Sequence, residues 1–264
     1  MIGIRTAIAG SLGGGKSWDS DLVTYISGLA TPLSSGQLTL LNNFILALKS
    51  GLSIINLSDA FDVMYILANE TAEAALRNLV KRSHDATAVN NPTFTALEGF
   101  TGNGTSSYID TNYNAATQAI NYTLNTCSYG LYLKILSSVT TGDLFAATTT
   151  GRIEIIGNNS VTGNRVYLNA LEKLISLTKN VGMWIDSRLS TTAISRMINK
   201  SYGTETNNAV IIPDSNVLIQ KSAYGYSNSQ LSFLFIGKDL TQANGNTITD
   251  AFEAYMDANG KGVI

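Results

Sequence analysis

Cysteine and histidine occur once each in this chain, as Cys127 and His84. A single cysteine excludes an intrachain disulfide and a zinc site built on cysteines. A single histidine excludes multi-histidine metal centres. Any Ser-His-Asp triad would have to use His84, which lies in the polar stretch KRSHDATAVNN and reads as a solvated linker residue. Charge is scarce as well: charged residues make up 14 % of the chain and the net charge is −2. Basic and acidic residues number 6 and 7 before Pro92, and 11 and 12 after it. There is no polybasic run, so neither half offers a nucleic-acid surface. No uninterrupted apolar run approaches the roughly 18–20 residues that span a bilayer, and membrane insertion is not expected. The start, MIGIRTAIAGSLGGGKSW, has one early Arg, a weak apolar stretch and no clear cleavage site, and is not read as a signal peptide.

What is present is a long, apolar chain. At 264 residues with 44 % apolar side chains it can hold one large domain and a smaller attachment, held by packing and hydrogen bonds alone. Residues 1–17 read as a flexible docking arm. Ile2 and Ile4 can pair as an edge strand, and Gly13, Gly14 and Gly15 form a joint. Helical spacing follows. Leu22, Ile26 and Leu29 share a face over 19–29, with Asp19 or Ser20 as cap. Leu38, Leu41, Phe44, Ile45 and Leu48 form a stripe over 35–50, with Gly51 placed as a C-terminal cap. Ser58 or Asp59 opens a third helical piece with Phe61, Met64, Tyr65 and Leu67, and 71–80 a fourth, with Glu73 four residues before Arg77. Such short helices need a surface to dock on, the β domain or neighbouring subunits, and Leu41, Phe44 and Leu48 are the partner-docking candidates beside Ile2 and Ile4.

Pro92 marks a change of regime. Beyond it Leu131, Leu133 and Ile135 alternate, as do Ile153 with Ile155, Val166 with Leu168, and Ile194 with Ile198 around Arg196. The runs 181–185 and 231–236 are nearly continuous and suit strands buried on both faces. Turn chemistry separates the strands at Gly102-Asn103-Gly104, Gly157-Asn158-Asn159, Gly163-Asn164 and Ser201-Tyr202-Gly203. LEKLISL, 171–177, reads as a strand or a one-turn detour. Ile248, Phe252, Tyr255 and Met256 restore a helical face at the end. The expected fold is mainly β, an antiparallel two-sheet sandwich, with a small α-helical N-terminal region before it.

Few residues carry chemistry. GSLGGGKS, 10–17, meets the G-x-x-x-x-G-K-[ST] spacing of a phosphate loop, but Trp-Asp-Ser-Asp follows where an apolar helix belongs, and no strand–helix alternation supports it. It reads as a linker, even with Met183-Trp184-Ile185-Asp186 imitating an acidic strand. Glycan hydrolysis needs paired carboxylates. Glu154 is the best inward-facing candidate, but Glu98, Asp110, Asp143, Asp186 and Asp214 are scattered. Calcium could take Asp110 and Asp143, yet no dense acidic loop occurs and no metal is expected. Tyrosines remain: a ring packs on a sugar while its hydroxyl hydrogen-bonds. Tyr202, Tyr224 and Tyr226, with Asn228, are the ligand-binding candidates, and 221–228 is the preferred exposed loop.

Three motifs in order carry a family resemblance. FTGNGTSSYIDTNYN looks like an opening hairpin, SRMINKSYGTET like a hairpin whose strand ends at Asn, and LSFLFIGKDLT like a closing strand running into a last helix. The block from LLNNFILALKSG through AALRNLV to AVNNPTFTALEGF looks like a helical lead-in. Together, over about residues 20–260, they resemble the laminin-G-like, concanavalin A-like jelly-roll domains of tailed-bacteriophage virion proteins. The resemblance implies a jelly roll over 93–264 with a C-terminal helix, anchored through a helical region at 18–92. It implies a virion protein of tail or head decoration, assembled in the host cytoplasm. Its expected partners are other virion proteins, further copies of itself and host-surface polysaccharide. It carries over no catalytic residue and no cofactor, and the chain is expected not to be an enzyme. The alternative is architecture without a ligand; third is a glycan hydrolase or nucleotide-binding protein.

Overall fold

A computed structural model describes residues 17–138, 143–147, 151–156, 164–178 and 180–264. The arm residues Ile2 and Ile4, and the turns expected at 157–159 and 163–164, lie wholly or mostly outside the described residues.

Helix α1 (Ser20–Ile26) starts where Asp19 accepts the Asp21 amide, and α2 (Ser35–Leu52) where Ser34 accepts the Gln37 amide. Gly51 is not the cap. The helix runs through it and stops at Leu52, with Ser53 in the left-handed region at φ 54°. Gly51 serves close approach instead, since a Cβ there would stand 2.3 Å from Thr247 Cγ2. A third helix, α3 (Ala72–Leu76), is shorter than expected. The Glu73–Arg77 pair forms at 3.2 Å, but Arg77 also donates to the carbonyls of Tyr25, Ser27 and Gly28, tying the end of α1. Then come α4 (Ala115–Gln118) and α5 (Gln242–Ala258), which opens with a Thr241/Asn244 capping box.

The strands in chain order are β1 (Phe61–Tyr65), β2 (Thr87–Val89), β3 (Thr93–Thr95), β4 (Gly99–Thr101), β5 (Tyr108–Asn114), β6 (Cys127–Ile135), β7 (Leu144–Ala147), β8 (Arg152–Ile155), β9 (Asn164–Ala170), β10 (Lys173–Ile175), β11 (Gly182–Arg188), β12 (Ala193–Ile198), β13 (Ser201–Thr206), β14 (Asn216–Ile219), β15 (Lys221–Ser222), β16 (Gly225–Tyr226) and β17 (Gln230–Gly237). One sheet has the order β13-β12-β11-β6-β17-β4-β3, with β1 also on β17. The other has the order β10-β9-β8-β7-β14-β5-β2. The pairings are antiparallel. This is the expected two-sheet sandwich with helices at its N-terminal side.

The third helical piece expected at 58–67 is a correction. Only the 3₁₀ turn Leu57–Asp59 is helical, and Phe61–Tyr65 is strand β1 on β17. Phe61, Met64 and Ile66 face the helices, while Val63, Tyr65 and Leu67 face the inter-sheet core. A helix would have turned part of this apolar run to water, whereas a strand between two cores buries all of it. The region 18–92 thus supplies β1 and β2 to the two sheets. The turn expected at Ser201-Tyr202-Gly203 is also displaced. It is Asn199-Lys200, with φ of 47° and 71°, the left-handed pair that a two-residue hairpin demands.

The first sheet is buried on both faces. Trp184, Tyr129, Leu131 and Ile236 meet Ile153, Ile155, Val166 and Leu168 of the second sheet. Tyr132, Met183, Ile185, Phe233 and Phe235 meet α2 and α5 on the other side. That is why 181–185 and 231–236 lack alternation. Leu41, Phe44 and Leu48, the partner-docking candidates, are 0, 2 and 0 % exposed and belong to this internal core, so of the two surfaces expected for the helices it is the β domain that covers them. The stretch Ser35–Asp59 is long and apolar enough to cross a membrane by length and composition; here its stripe covers the sheet.

Asp62 fastens the second core. Its buried carboxylate accepts the Tyr113 hydroxyl at 2.9 Å and the amides of Ile120, Asn121 and Tyr122 at 2.9–3.0 Å. Asp62→Ala strands these donors and is expected to cost about 3 kcal/mol. Hydrogen exchange should speed up first at 120–122, and unchanged protection there would contradict this role.

Candidate functional site

Strands β8 and β9 build the site. In Arg152-Ile153-Glu154-Ile155 and Arg165-Val166-Tyr167-Leu168 the aliphatic residues fill the inter-sheet core. Strand alternation turns Arg152, Glu154, Arg165 and Tyr167 to the outer face of the second sheet. Glu154, expected to face inward, is corrected by this parity. It pairs across with Tyr167. The β15–β16 hairpin brings Tyr224 over the same face. A Cβ at Gly151 would lie 2.4 Å from Ile211 Cγ2, so that corner requires glycine. The result is a cleft of about 290 Å³ lined by Gly151, Arg152, Arg165, Tyr167, Glu172 and Tyr224, with Ala170 and Leu171 at its side.

The Arg152 guanidinium lies 4.8 Å from the Tyr167 ring centroid and 5.5 Å from that of Tyr224. Its Nη1 donates to Glu154 Oε2 at 3.0 Å and its Nη2 to the Tyr224 hydroxyl at 3.3 Å. Tyr167 donates to Glu172 Oε2 at 2.7 Å. Arg165 Nε stands 3.4 Å from the same oxygen, an ion pair without hydrogen-bond alignment. Glu154 is fully buried, and its Oε1 accepts no hydrogen bond. Burial pushes its carboxyl up to about 7, against the pull of Arg152 and Arg165. Burial, followed by the nearby Glu172 carboxylate, pushes the Tyr167 hydroxyl up to about 12.

Glu154 ties stability to pH. Its folded-state value lies above the ordinary carboxylate value, so protonation favours the folded state. The associated stability is complete below about pH 4.5 and is lost as pH rises through about 7. Glu154→Gln is expected to flatten that part of the stability–pH curve. Urea unfolding at pH 5 and pH 8 checks it, and an unaltered slope would contradict it.

Of the four expected ligand-binding residues, only Tyr224 lies in the cleft, where it is 73 % exposed. Tyr226 turns to Tyr108 at 6.2 Å, with Lys221 Nζ 4.2 Å from the Tyr108 ring. Asn228 is tied to Ser137 and Ser138. Tyr202 stands on β13 of the other sheet, packed toward the helices. Arg152, Arg165, Tyr167 and Glu172 join the cleft without a motif that marks them in the sequence. Their signal was two charged residues alternating with aliphatics in neighbouring strands of a chain poor in charge.

The other reactive candidates are occupied elsewhere. His84 Nδ1 is 2.8 Å from the Asn112 carbonyl, and its ring packs on Tyr113, so it is pinned rather than loose. Asp110 holds Asn216 and the Asn112 amide; Asp143 accepts the Ser227 and Ser229 hydroxyls. Asp214 accepts from Asn114, and Glu98 pairs with Lys261. Among the described residues no three His, Cys, Asp or Glu gather as a metal site. Asp186 is sealed in the core by Arg196. Burial pushes the Cys127 thiol up to about 12. The phosphate-loop match at 10–17 lies outside the described residues except for Ser17.

No family model matches the chain, and no curated protein does. Solved structures do. Domain 4 of a GH43 extracellular arabinanase from Geobacillus stearothermophilus, in complex with arabinotriose, aligns with a TM-score of 0.54 at 12 % identity, over 72 % of this chain and 98 % of that domain. The binding domain of botulinum neurotoxin DC, in complex with SialylT, aligns at 0.49 and 12 % identity, over 74 % of this chain and 52 % of the other. A sialidase from Trypanosoma rangeli aligns at 0.46 and 12 %, over 87 % and 40 %. At this identity the arabinanase likeness is one of fold: the chain is a β-sandwich of the same kind.

Proposed function

We propose that the chain is a non-enzymatic glycan-binding protein of a tailed-bacteriophage virion, on the tail or decorating the head. The observation that carries the binding reading is the cleft in which Arg152 lies between Tyr167 and Tyr224, beside Glu172. An exposed tyrosine ring can stack on the apolar face of a sugar. Guanidinium donors and carboxylate acceptors at its edge suit hydroxyl groups. The arabinanase domain of this fold was solved with arabinotriose. The virion assignment rests on the resemblance of the three β motifs and the helical lead-in, and with it come assembly in the host cytoplasm and association with other virion proteins and with its own copies.

Absence of hydrolysis is part of the proposal. Glu154 is fully buried behind Arg152, which keeps it from a glycosidic oxygen, and the mechanism needs two carboxyl groups at the bond. A second reading, architecture without a ligand, is favoured by the pairing of Arg152 with Glu154 and of Arg165 with Glu172, since a structural polar cluster would look the same. Binding of the full chain to host cells separates the two. Saturable binding competed away by purified surface polysaccharide supports the glycan reading. Absence of binding by folded protein supports the architectural one.

A further inference from the structure

The cleft is lined by two guanidinium groups and the Glu172 carboxylate, and a second carboxylate, Glu154, lies poorly kept behind Arg152. Glu154 is fully buried, it has one partner in Arg152, and its Oε1 accepts nothing. A buried ionised group with an orphan oxygen is costly. Arg165 faces the same space with its Nε buried and without an aligned acceptor. An anion entering the cleft would meet Arg152, offered from between two rings, and Arg165 on the adjacent strand.

We propose, resting on the glycan reading of this cleft, that its ligand is a carboxylate-bearing sugar of the uronate class, whose anion replaces Glu154 as the partner of Arg152 while Glu154 takes up a proton. The exchange balances: the ligand brings one negative charge, and solvent supplies the proton that neutralises Glu154. A guanidinium suits this task because its planar N–H fork matches a carboxylate. The groups that bear on Glu154 are Arg152 on its own strand, Arg165 on β9 and Asp143 before β7; the two arginines oppose protonation and burial and Asp143 promote it. The Tyr167 ring and Glu172 lie next to them, and Tyr224 closes the outer side.

The test uses the full chain with polygalacturonate and hyaluronan, each beside its carboxyl-reduced form, from pH 5.5 to 8.5. The expected result is binding of an acid form that is lost on carboxyl reduction and weakens about tenfold per pH unit above pH 7, as uptake of one proton requires. Glu154→Gln should remove that pH slope; if it does not fold, the wild-type slope alone decides. Equal binding of acid and reduced forms overturns the inference and leaves the glycan site standing. So does failure of both acid forms while Tyr224-dependent binding to host polysaccharide persists. If no glycan binds in a Tyr224-dependent way, the glycan reading falls and the inference with it.

Discussion

Asp186→Ala is expected to destabilise the protein by about 3–5 kcal/mol. Asp186 on β11 and Arg196 on β12 are direct cross-strand partners. Both are fully buried, and Arg196 donates through Nε and Nη2 to the two carboxylate oxygens at 2.5 Å each. The guanidinium also lies 5.3 Å from the Trp184 ring, inside the layer between the sheets. Removing the carboxylate leaves a cation with no exit to water, and its Nη1 already lacks a partner. The cost therefore exceeds the worth of the bond itself. Replacing both residues tests this: Asp186→Leu with Arg196→Met should recover most of the loss, because an apolar pair leaves nothing unpaired. Urea unfolding of the two single variants and the double variant gives the answer. A loss under about 1 kcal/mol in Asp186→Ala would mean that water reaches the pair.

Phe252→Ala is the second large effect, at about 3–5 kcal/mol. Phe252 on α5 is fully buried. Its ring stacks on Phe233 at 4.5 Å and lies 5.1 Å from Tyr132, 5.6 Å from Tyr255 and 5.8 Å from Phe44. One ring thus joins the first sheet to both long helices. A cavity there cannot collapse without moving a helix off a sheet that is packed on its other face too. Leu46→Ala, at a side chain 48 % exposed, should change stability little by comparison. Equal losses in the two variants would contradict a helical layer fixed to the sheet. The same packing predicts that a fragment starting at residue 93 is unstable, because it lacks α2 and the β1 strand on β17.

The sandwich was legible because most of its strands are buried on one face only or in continuous runs. Ile153 with Ile155, and Val166 with Leu168, alternate because their neighbours face away from the inter-sheet layer. The runs 181–185 and 231–236 signalled burial on both faces, and the helices explain it. Strand β1 was misread because Phe61, Met64 and Tyr65 fit helical spacing. Its state is decided by β17, which lies far away in sequence, and local pattern carries no information about such a partner. The site was legible only through Tyr224 and through Glu154, which lies behind it. Arg152, Arg165 and Tyr167 converge by the pairing of β8 with β9 and by a hairpin from a distant segment, and neither is written in local periodicity. Leu41, Phe44 and Leu48 show the converse: an apolar stripe states that something covers it, not whether that cover is another chain or this one.

The glycan reading stands on the Tyr224 cleft. Its most direct test is one array of host-type polysaccharides probed with the wild-type chain and with Tyr224→Ala. The ring is 73 % exposed, so its removal should leave the fold intact, as circular dichroism can verify. A stacked ring contributes on the order of 1–2 kcal/mol, and the account predicts saturable wild-type binding that weakens about tenfold or more in the variant. Equal binding by the two proteins would place any glycan site elsewhere on the molecule and contradict the account.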